Sequence, residues 1–543
     1  MKICKIILFI LFVLFQPIGA VQKEYIQNPI LPGFNPDPCI VRAGTDYYIV
    51  TSTFEWFPGL PVYHSKDLVN WEQIGHVLTR KSQLDLTGIA DADGVYAPSI
   101  TYHDGLFYVT YTIVQGGITW PLKGYPNYIV TAKDPRGPWS EPVYINSLGF
   151  DPTLFIDDDS KAYVLVRVFD HRKGQPSSPG IGMHELDLNT LKPVGQPKFI
   201  YSGWGQRSAE GPKMLKKDGY YYLFTAEGGT GYGHYEAVAR SKNIEGPYER
   251  APKKFYTSAN DSNAVIQKAG HGTLVSTPTG EWYTTHLGSR PLVPNGNCPL
   301  GRETFLQKVV WNADGWPELS SGGEIPSMQV EAPALPVFPV KKRQVIDDFA
   351  SSVLDYRYQS LREPIEQSWL RLDRRKGFLS MRGRRALGGF YGQSLLAQRL
   401  TSYHQQVETC VEFTPASYRH AAGLSCFYNT KHWYALGLTF DEKEGFVLEL
   451  TGADKNYVEL TEKRVPIYTN VGKVYMRMVL DGYSLQYYYS LDGKEWRKIG
   501  TVLDFGKISD DYTDGYTGAM AALFVQDLMY EEQWADFDYF EVR

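Results

Sequence analysis

The sequence predicts an all-β protein, a five-bladed β-propeller followed by a β-sandwich, on three observations. Aromatic pairs recur in strand-like runs through the first three hundred residues, at Tyr47-Tyr48, Phe107-Tyr108, Ala162-Tyr163, Tyr221-Tyr222 and Trp282-Tyr283, with second members 60, 55, 59 and 61 residues apart. A period of that size, holding several short strands and no helical pattern per unit, marks propeller blades, and five of them close a ring. Further on, runs such as Gln406 to Phe413 and Val474 to Leu480 alternate in the strand manner, and Asp481-Gly482 and Asp492-Gly493 supply turns between them. Short strands separated by such turns read as a sandwich. Between the two regions lies a stretch with Pro326, Pro333, Pro336 and Pro339, the composition of a stiff linker. The expected organisation is therefore a leader at 1–20, a propeller at 21–325, a linker at 326–342 and a sandwich at 343–543.

The first twenty residues carry two lysines, an apolar run from Ile6 to Phe15 and a small-residue end at Ile18-Gly19-Ala20. That is the layout of a secretory signal peptide, and the apolar run is too short to span a bilayer, which takes roughly 20 residues. The expectation is an exported protein, periplasmic or secreted, with no membrane attachment after the leader is removed. Net charge −5 and pI 6.2 provide no basic footprint, which argues against a nucleic-acid partner. Past the leader the cysteines are Cys39, Cys298, Cys410 and Cys426. An even number permits two disulfides in an oxidising compartment, but the density is far below that of a disulfide-built scaffold. Free, buried thiols are expected, with Cys410 and Cys426 on separate strands.

Within each repeat the aromatic pair follows a turn, and the turn follows a short apolar run opened by Pro or Gly. The openings are Asp37-Pro38, Ala97-Pro98, Asp151-Pro152, Glu210-Gly211-Pro212 and His271-Gly272. If these runs are the innermost strands, their first residues ring one mouth of the central channel, and three carboxylates and a histidine converge there. Segments such as Ser65 to Trp71, Ala132 to Trp139 and Ser241 to Tyr248 also echo one another. Their recurrence assigns Trp71, Trp139 and Tyr248 to packing between blades rather than to a ligand.

The acids read differently. An Asp-Pro pair is common in ordinary turns, but three acids at matching repeat positions are costly, because like charges in one cavity raise each other's pKa. Pairs of carboxylates with separated pKa values are how proteins hydrolyse glycosidic bonds, one protonated to donate and the other ionised to activate water. A binding propeller needs neither group, so the full set favours an enzyme over a non-catalytic carbohydrate-binding propeller.

Asn35-Pro36-Asp37-Pro38, Phe54 to Gly59, Gly149 to Phe155, Ala209-Glu210-Gly211-Pro212, Ala226 to His234 and Leu300 to Phe305 together resemble glycoside hydrolase family 43. The resemblance covers about residues 28–319 and continues in the C-terminal sandwich that several of its branches carry. It implies a five-bladed propeller, an inverting mechanism, Asp37 as general base, Glu210 as general acid, and Asp151 as the carboxylate that orients the acid and tunes its pKa. It matches His271 to an axial histidine on the channel floor, where some relatives hold a calcium ion or ordered water; no cofactor is otherwise implied. Arg302 matches an arginine that contacts sugar hydroxyls, a task suited to a guanidinium fork. Phe54 and Tyr96 match aromatic positions lining the same subsite, with Tyr96 standing where relatives commonly carry Trp. Tyr516, in Asp514-Gly515-Tyr516-Thr517-Gly518, matches a sandwich loop that reaches across to close the pocket.

The expected substrate is a plant cell-wall oligosaccharide or polysaccharide of the hemicellulose class. The Gly228 to His234 loop resembles branches in which arabinofuranosidase activity is frequent, whereas Phe54 to Gly59 is shared with β-xylosidases. The sequence thus favours an exo-acting α-L-arabinofuranosidase, with an exo-β-1,4-xylosidase as the alternative. A retaining propeller of the invertase type is a third reading, separated from these by the spacing of the two carboxyls.

Overall fold

The computed structural model describes residues 25–116, 123–205, 209–341, 344–455, 457–460, 464–468 and 472–543. The leader expected at 1–20 lies outside these. Nearly every element is a strand.

Five antiparallel sheets follow one another along the chain. Blade one runs through Cys39–Ala43, Asp46–Val50, Gly59–Ser65 and Glu72–Leu78, and blade two through Gly94–His103, Leu106–Val114, Asn127–Ala132 and Val143–Asn146. Blade three comprises Thr153–Ile156, Ala162–Val168, Gly180–Asp187 and Lys192–Tyr201. In blade four, Glu210–Lys217 and Tyr220–Glu227 lead to Tyr235–Ser241, which pairs with two short outer pieces, Glu249–Arg250 and Tyr256–Thr257. Blade five is Gln267–Ser276, Trp282–Ser289, Glu303–Trp311 and Pro317–Leu319. The first strand of each blade packs beside the first strands of its two neighbours, so these five strands line the axis. The turns read from sequence are the hairpins joining first and second strands, as where Ala43 pairs with Asp46 and Lys217 with Tyr220.

Among the described residues no blade borrows a strand from the far end of the chain, and the ring is closed by contacts between the first and last blades. Leu31 bridges Thr304 of blade five, the Asn28 side chain donates to Leu306 O at 2.8 Å, and Tyr25–Gln27 pairs with Gln329–Glu331. The Pro-rich segment is thus more than a spacer, since its Gln329–Glu331 portion forms a two-stranded clasp with the start of the described chain. Trp139 is buried in the core shared by blades one and two, and Tyr248 and Trp71 pack against cores at other blade contacts.

The C-terminal region is two stacked sheets. One is built on His404–Glu412, Lys473–Asp481, Ser484–Ser490 and Trp534–Val542, the other on Ser394–Arg399, His420–Asn429, His432–Asp441, Gly445–Asp454 and Met520–Asp527. The second sheet is buried on both faces. Leu436, Leu438, Leu523 and Val525 point into the sandwich core, while the intervening Ala435, Ala522 and Phe524 pack with Phe34, Phe54 and Trp56 of the propeller. Burying a large apolar side chain stabilises by about 1.5–3 kcal/mol, so this shared cluster makes one body of the two domains. Ser360–Leu361 adds a strand pairing to Trp56–Phe57 across the same boundary. The four cysteines among the described residues, Cys39, Cys298, Cys410 and Cys426, are free and buried.

Candidate active site

The positions opening the innermost strands have an unusual backbone. Asp37, Asp151 and His271 lie at φ 55°, 61° and 55°, and Gly211 at 56°. Non-glycine residues in this left-handed region are strained, and all four stand two residues before the ladder pairings of Cys39, Thr153, Thr273 and Lys213. The equivalent of the two aspartates in blade four is therefore Gly211, and Glu210 sits one residue earlier, which corrects the equivalence read from the repeats. A bulge sets this offset. Between Glu210 and Lys213 the strand advances three residues while its partner advances two, from Ala226 to Phe224, and the same irregularity lies between Tyr96 and Ser99 in blade two and between Gly270 and Thr273 in blade five. Bulges re-aim side chains. Here the bulge gives Glu210 the register of Tyr96, one step outward from Asp37 and Asp151.

Gly211 has a second reason to lack a side chain: a Cβ there would lie 2.6 Å from His271 Nε2. The glycine lets the imidazole pack against blade four. His271 Nδ1 lies 3.4 Å from Asp37 Oδ1, and Nε2 is buried with no protein partner.

Asp37 is 6% exposed. Burial alone would push its carboxyl up, but the Arg302 guanidinium 3.2 Å from Oδ1, His271, and the Ser52 hydroxyl donating to Oδ2 at 2.6 Å together outweigh it. Asp37 is consequently held well below the usual carboxylate range, an anion at any ordinary pH. His271 responds in the opposite sense: burial disfavours its cation, yet Asp37 and Asp151 raise its pKa overall.

Asp151 has no such cationic contact. Burial, offset in part by His271 and reinforced by the charges of Glu210 and Asp37, raises it to about 7, even though the Gly211 N–H donates to Oδ2 at 2.9 Å. Glu210 forms an ion pair with Arg167, whose guanidinium also packs over Phe150 and Phe169 at 4.9 and 5.0 Å from the ring centroids and donates to Ser178 at 2.9 Å. The site thus contains a permanently ionised carboxylate, Asp37, and a carboxyl that retains its proton near neutrality, Asp151, beside the Arg167-paired Glu210.

The walls close the cavity on one side. Phe54 at φ 51° packs against Tyr96 at 4.9 Å and Tyr516 at 5.9 Å between ring centroids. Tyr516 comes from the sandwich, and the loop bearing it is fixed by its backbone: Arg302 Nη2 donates to Tyr516 O at 2.9 Å, and Thr517 N donates to the Tyr428 hydroxyl at 3.2 Å. Every residue expected at the site, Asp37, Phe54, Tyr96, Asp151, Glu210, His271, Arg302 and Tyr516, lines a single cavity of about 400 Å³.

Sequence reasoning missed Arg167, Lys123, Tyr125, Phe150 and Thr230, which also line the cavity. Phe150 and Thr230 fell inside quoted motifs but were given no role. Arg167 belongs to a second strand, Ala162–Val168, whose pattern shows only a strand; no spacing in the sequence connects it with Glu210. Lys123 and Tyr125 lie between blade two's second and third strands, where the repeat gives no register.

Below the carboxylates, Glu236 is fully buried and raised to about 8 by desolvation, with one oxygen accepting from Gly272 N at 3.1 Å and the other unpartnered. The Lys213 ammonium is buried nearby and donates to Thr153 at 3.0 Å. Calcium takes 6–8 oxygen ligands. Among the described residues no three His, Cys, Asp or Glu side chains converge to hold a metal.

The pattern of the glycosyl hydrolases of family 43 matches residues 26–317, and that of the β-xylosidase C-terminal concanavalin A-like domain matches 346–543. A xylan 1,3-β-xylosidase of Vibrio sp. is 44% identical over 95% of this chain and 98% of its own length. A non-reducing end α-L-arabinofuranosidase of Bacteroides ovatus is 35% identical over 99% and 98%. The crystal structure of a xylan β-1,4-xylosidase from Bacillus halodurans superposes with TM-score 0.93 at 43% identity, covering 95% of this chain and all of the other. With these matches spanning both domains, the chain belongs to glycoside hydrolase family 43.

Proposed function

We propose that the protein is an exo-acting, inverting β-xylosidase that removes terminal xylosyl residues from the non-reducing ends of hemicellulose-derived oligosaccharides. The observation that carries this reading is the convergence of Asp37, Asp151 and Glu210 in a cavity that Phe54, Arg302 and Tyr516 wall off on one side. A blind pocket admits a chain end rather than a chain middle. Relatives named xylosidases at 43–44% identity support this reading over the arabinofuranosidase expected from the Gly228 to His234 loop. Arabinofuranosidase remains the second reading, supported by the Bacteroides relative and by Thr230 of that loop in the lining.

In the proposed reaction, the Asp37 carboxylate takes a proton from a water molecule as the water oxygen bonds to the anomeric carbon. The glycosidic C–O bond breaks on the opposite face, and Glu210 gives its proton to the departing oxygen. Asp151 keeps a proton or a negative charge beside Glu210 and so sets when Glu210 can donate. Arg167, paired with Glu210, has to release it before donation, and a leaving-group sugar on the Phe150 and Tyr125 side of the pocket is placed to drive that exchange.

Parallel assays on p-nitrophenyl β-D-xylopyranoside and α-L-arabinofuranoside test the assignment. The expected result is the higher kcat/KM on the xyloside, with single xylose units released from xylo-oligosaccharides. A higher value on the arabinofuranoside would reinstate the second reading.

A further inference from the structure

We propose that the crevice between propeller and sandwich, on the blade-one side and separate from the catalytic pocket, binds a small oxyanion, a carboxylate or a phosphate, on Arg399. This crevice has a volume of about 470 Å³ and shares no lining residue with the cavity around Asp37. Arg399 ends the strand Ser394–Arg399 and is 7% exposed. Its Nε donates to Phe34 O, and its guanidinium lies 5.6 Å from the Phe34 ring. Nη2 is buried with no hydrogen-bond partner, and no carboxylate among the described residues pairs with the group.

A buried cation without a counter-charge is costly unless something pairs with it. The two acids lining the crevice are already engaged: Glu72 lies 3.3 Å from His64, and Asp355 2.7 Å from Arg357. Three cations, Arg399, Arg357 and Lys341, thus face two anions, leaving one positive charge over. His76, which Arg399 adjoins electrostatically, is buried and held neutral, lowered to about 3, and offers no compensation. With Nε committed to Phe34 and Nη2 without a partner, the guanidinium keeps unpaired N–H donors of the kind that match the oxygens of a carboxylate or phosphate. An anion there would tie the two domains together, since Lys341 and Arg399 approach it from the linker and the sandwich while Asn35 and Gln73 belong to the propeller.

The test uses the full-length protein in thermal unfolding at fixed pH and fixed ionic strength, titrated separately with inorganic phosphate and with glucuronate, sodium chloride replacing either in the control. Ligands that bind only the native state raise Tm saturably. The expected result is a saturable rise with phosphate, with glucuronate or with both, the smaller half-saturating concentration identifying the source. Arg399→Gln should abolish the rise, and Lys341→Gln, at an exposed position, should raise the half-saturating concentration about tenfold, as for loss of a charge-assisted contact. If Arg399→Gln does not fold, Lys341→Gln decides. A rise equalled by chloride, no saturable rise, persistence in Arg399→Gln, or unchanged half-saturation in Lys341→Gln would overturn the proposal.

Discussion

The Arg302 guanidinium donates to Asp37 Oδ1 at 3.2 Å with one nitrogen and to the backbone oxygen of Tyr516 at 2.9 Å with the other. One side chain of blade five therefore both keeps the proposed base ionised and fastens the sandwich loop to the pocket. The first prediction follows from the sign of that charge. Because a lowered carboxyl is an anion above its folded pKa, the acidic limb of kcat/KM should lie below the ordinary Asp value of about 3.9. Arg302→Met removes the cation, lets burial push Asp37 up, and should move that limb to higher pH as well as raising KM. An unmoved limb in the pH profile would show that Asp37 does not govern it.

The charge of Glu210 is one of the causes that raise Asp151. With Asp151 raised to about 7, kcat/KM should fall through neutrality on the alkaline side. Asp151→Asn deletes a negative neighbour of Glu210, so the remaining proton should leave at lower pH and the alkaline limb should shift acidward. The pH profile of the variant checks this, and a shift in the alkaline direction would remove Asp151 from the role of tuning the acid.

Leaving-group chemistry separates acid from base. Glu210→Ala should lose about 10²- to 10⁴-fold on xylo-oligosaccharides, whose alkoxides cannot depart unaided, and far less on a dinitrophenyl xyloside. Asp37→Ala should lose turnover on both, since no other group at the site is placed to activate water. Equal losses of Glu210→Ala on the two substrates would transfer the donor role elsewhere.

Stability should depend on pH through three buried carboxyls, Asp151 raised to about 7 and Glu55 and Glu236 each to about 8, in every case chiefly by burial. Their unfolded values are about 4, so between pH 4 and 8 the folded state holds protons that the unfolded state has released. Stability is then fully present below about pH 4 as far as these groups are concerned, and declines as pH rises toward 8. Glu55→Gln and Glu236→Gln should each flatten the decline of Tm between pH 5 and 8.5. Glu55 is tied to the sandwich, its backbone oxygen accepting from Arg362 N at 2.9 Å, so loss of its proton is expected to loosen the domain boundary first.

Much of this was legible because a propeller writes its geometry into a period. The turn after each innermost strand, and the acid or histidine before four of the five, recur at nearly fixed spacing, which is enough to bring Asp37, Asp151, Glu210 and His271 to one mouth. The one-residue offset of Glu210 was not legible, because the bulge between Glu210 and Lys213 exists only against a partner strand. Arg167 escaped for a related reason: its importance lies in reaching Glu210 from another blade, 43 residues away in sequence. In the sandwich, Met520 to Val525 is apolar throughout, which by itself does not distinguish a strand from a buried helix segment. The structure explains the run, since one set of side chains faces the sandwich core and the alternate set faces the propeller.

The central claim is that Asp37 activates water while Glu210 protonates the leaving group, and the configuration of the first product tests it most directly. Proton NMR of xylose released from a β-xyloside, recorded before mutarotation, should show the α-anomer appearing first. Initial appearance of the β-anomer would mean retention through a covalent intermediate and would contradict the assignment of Asp37 as base.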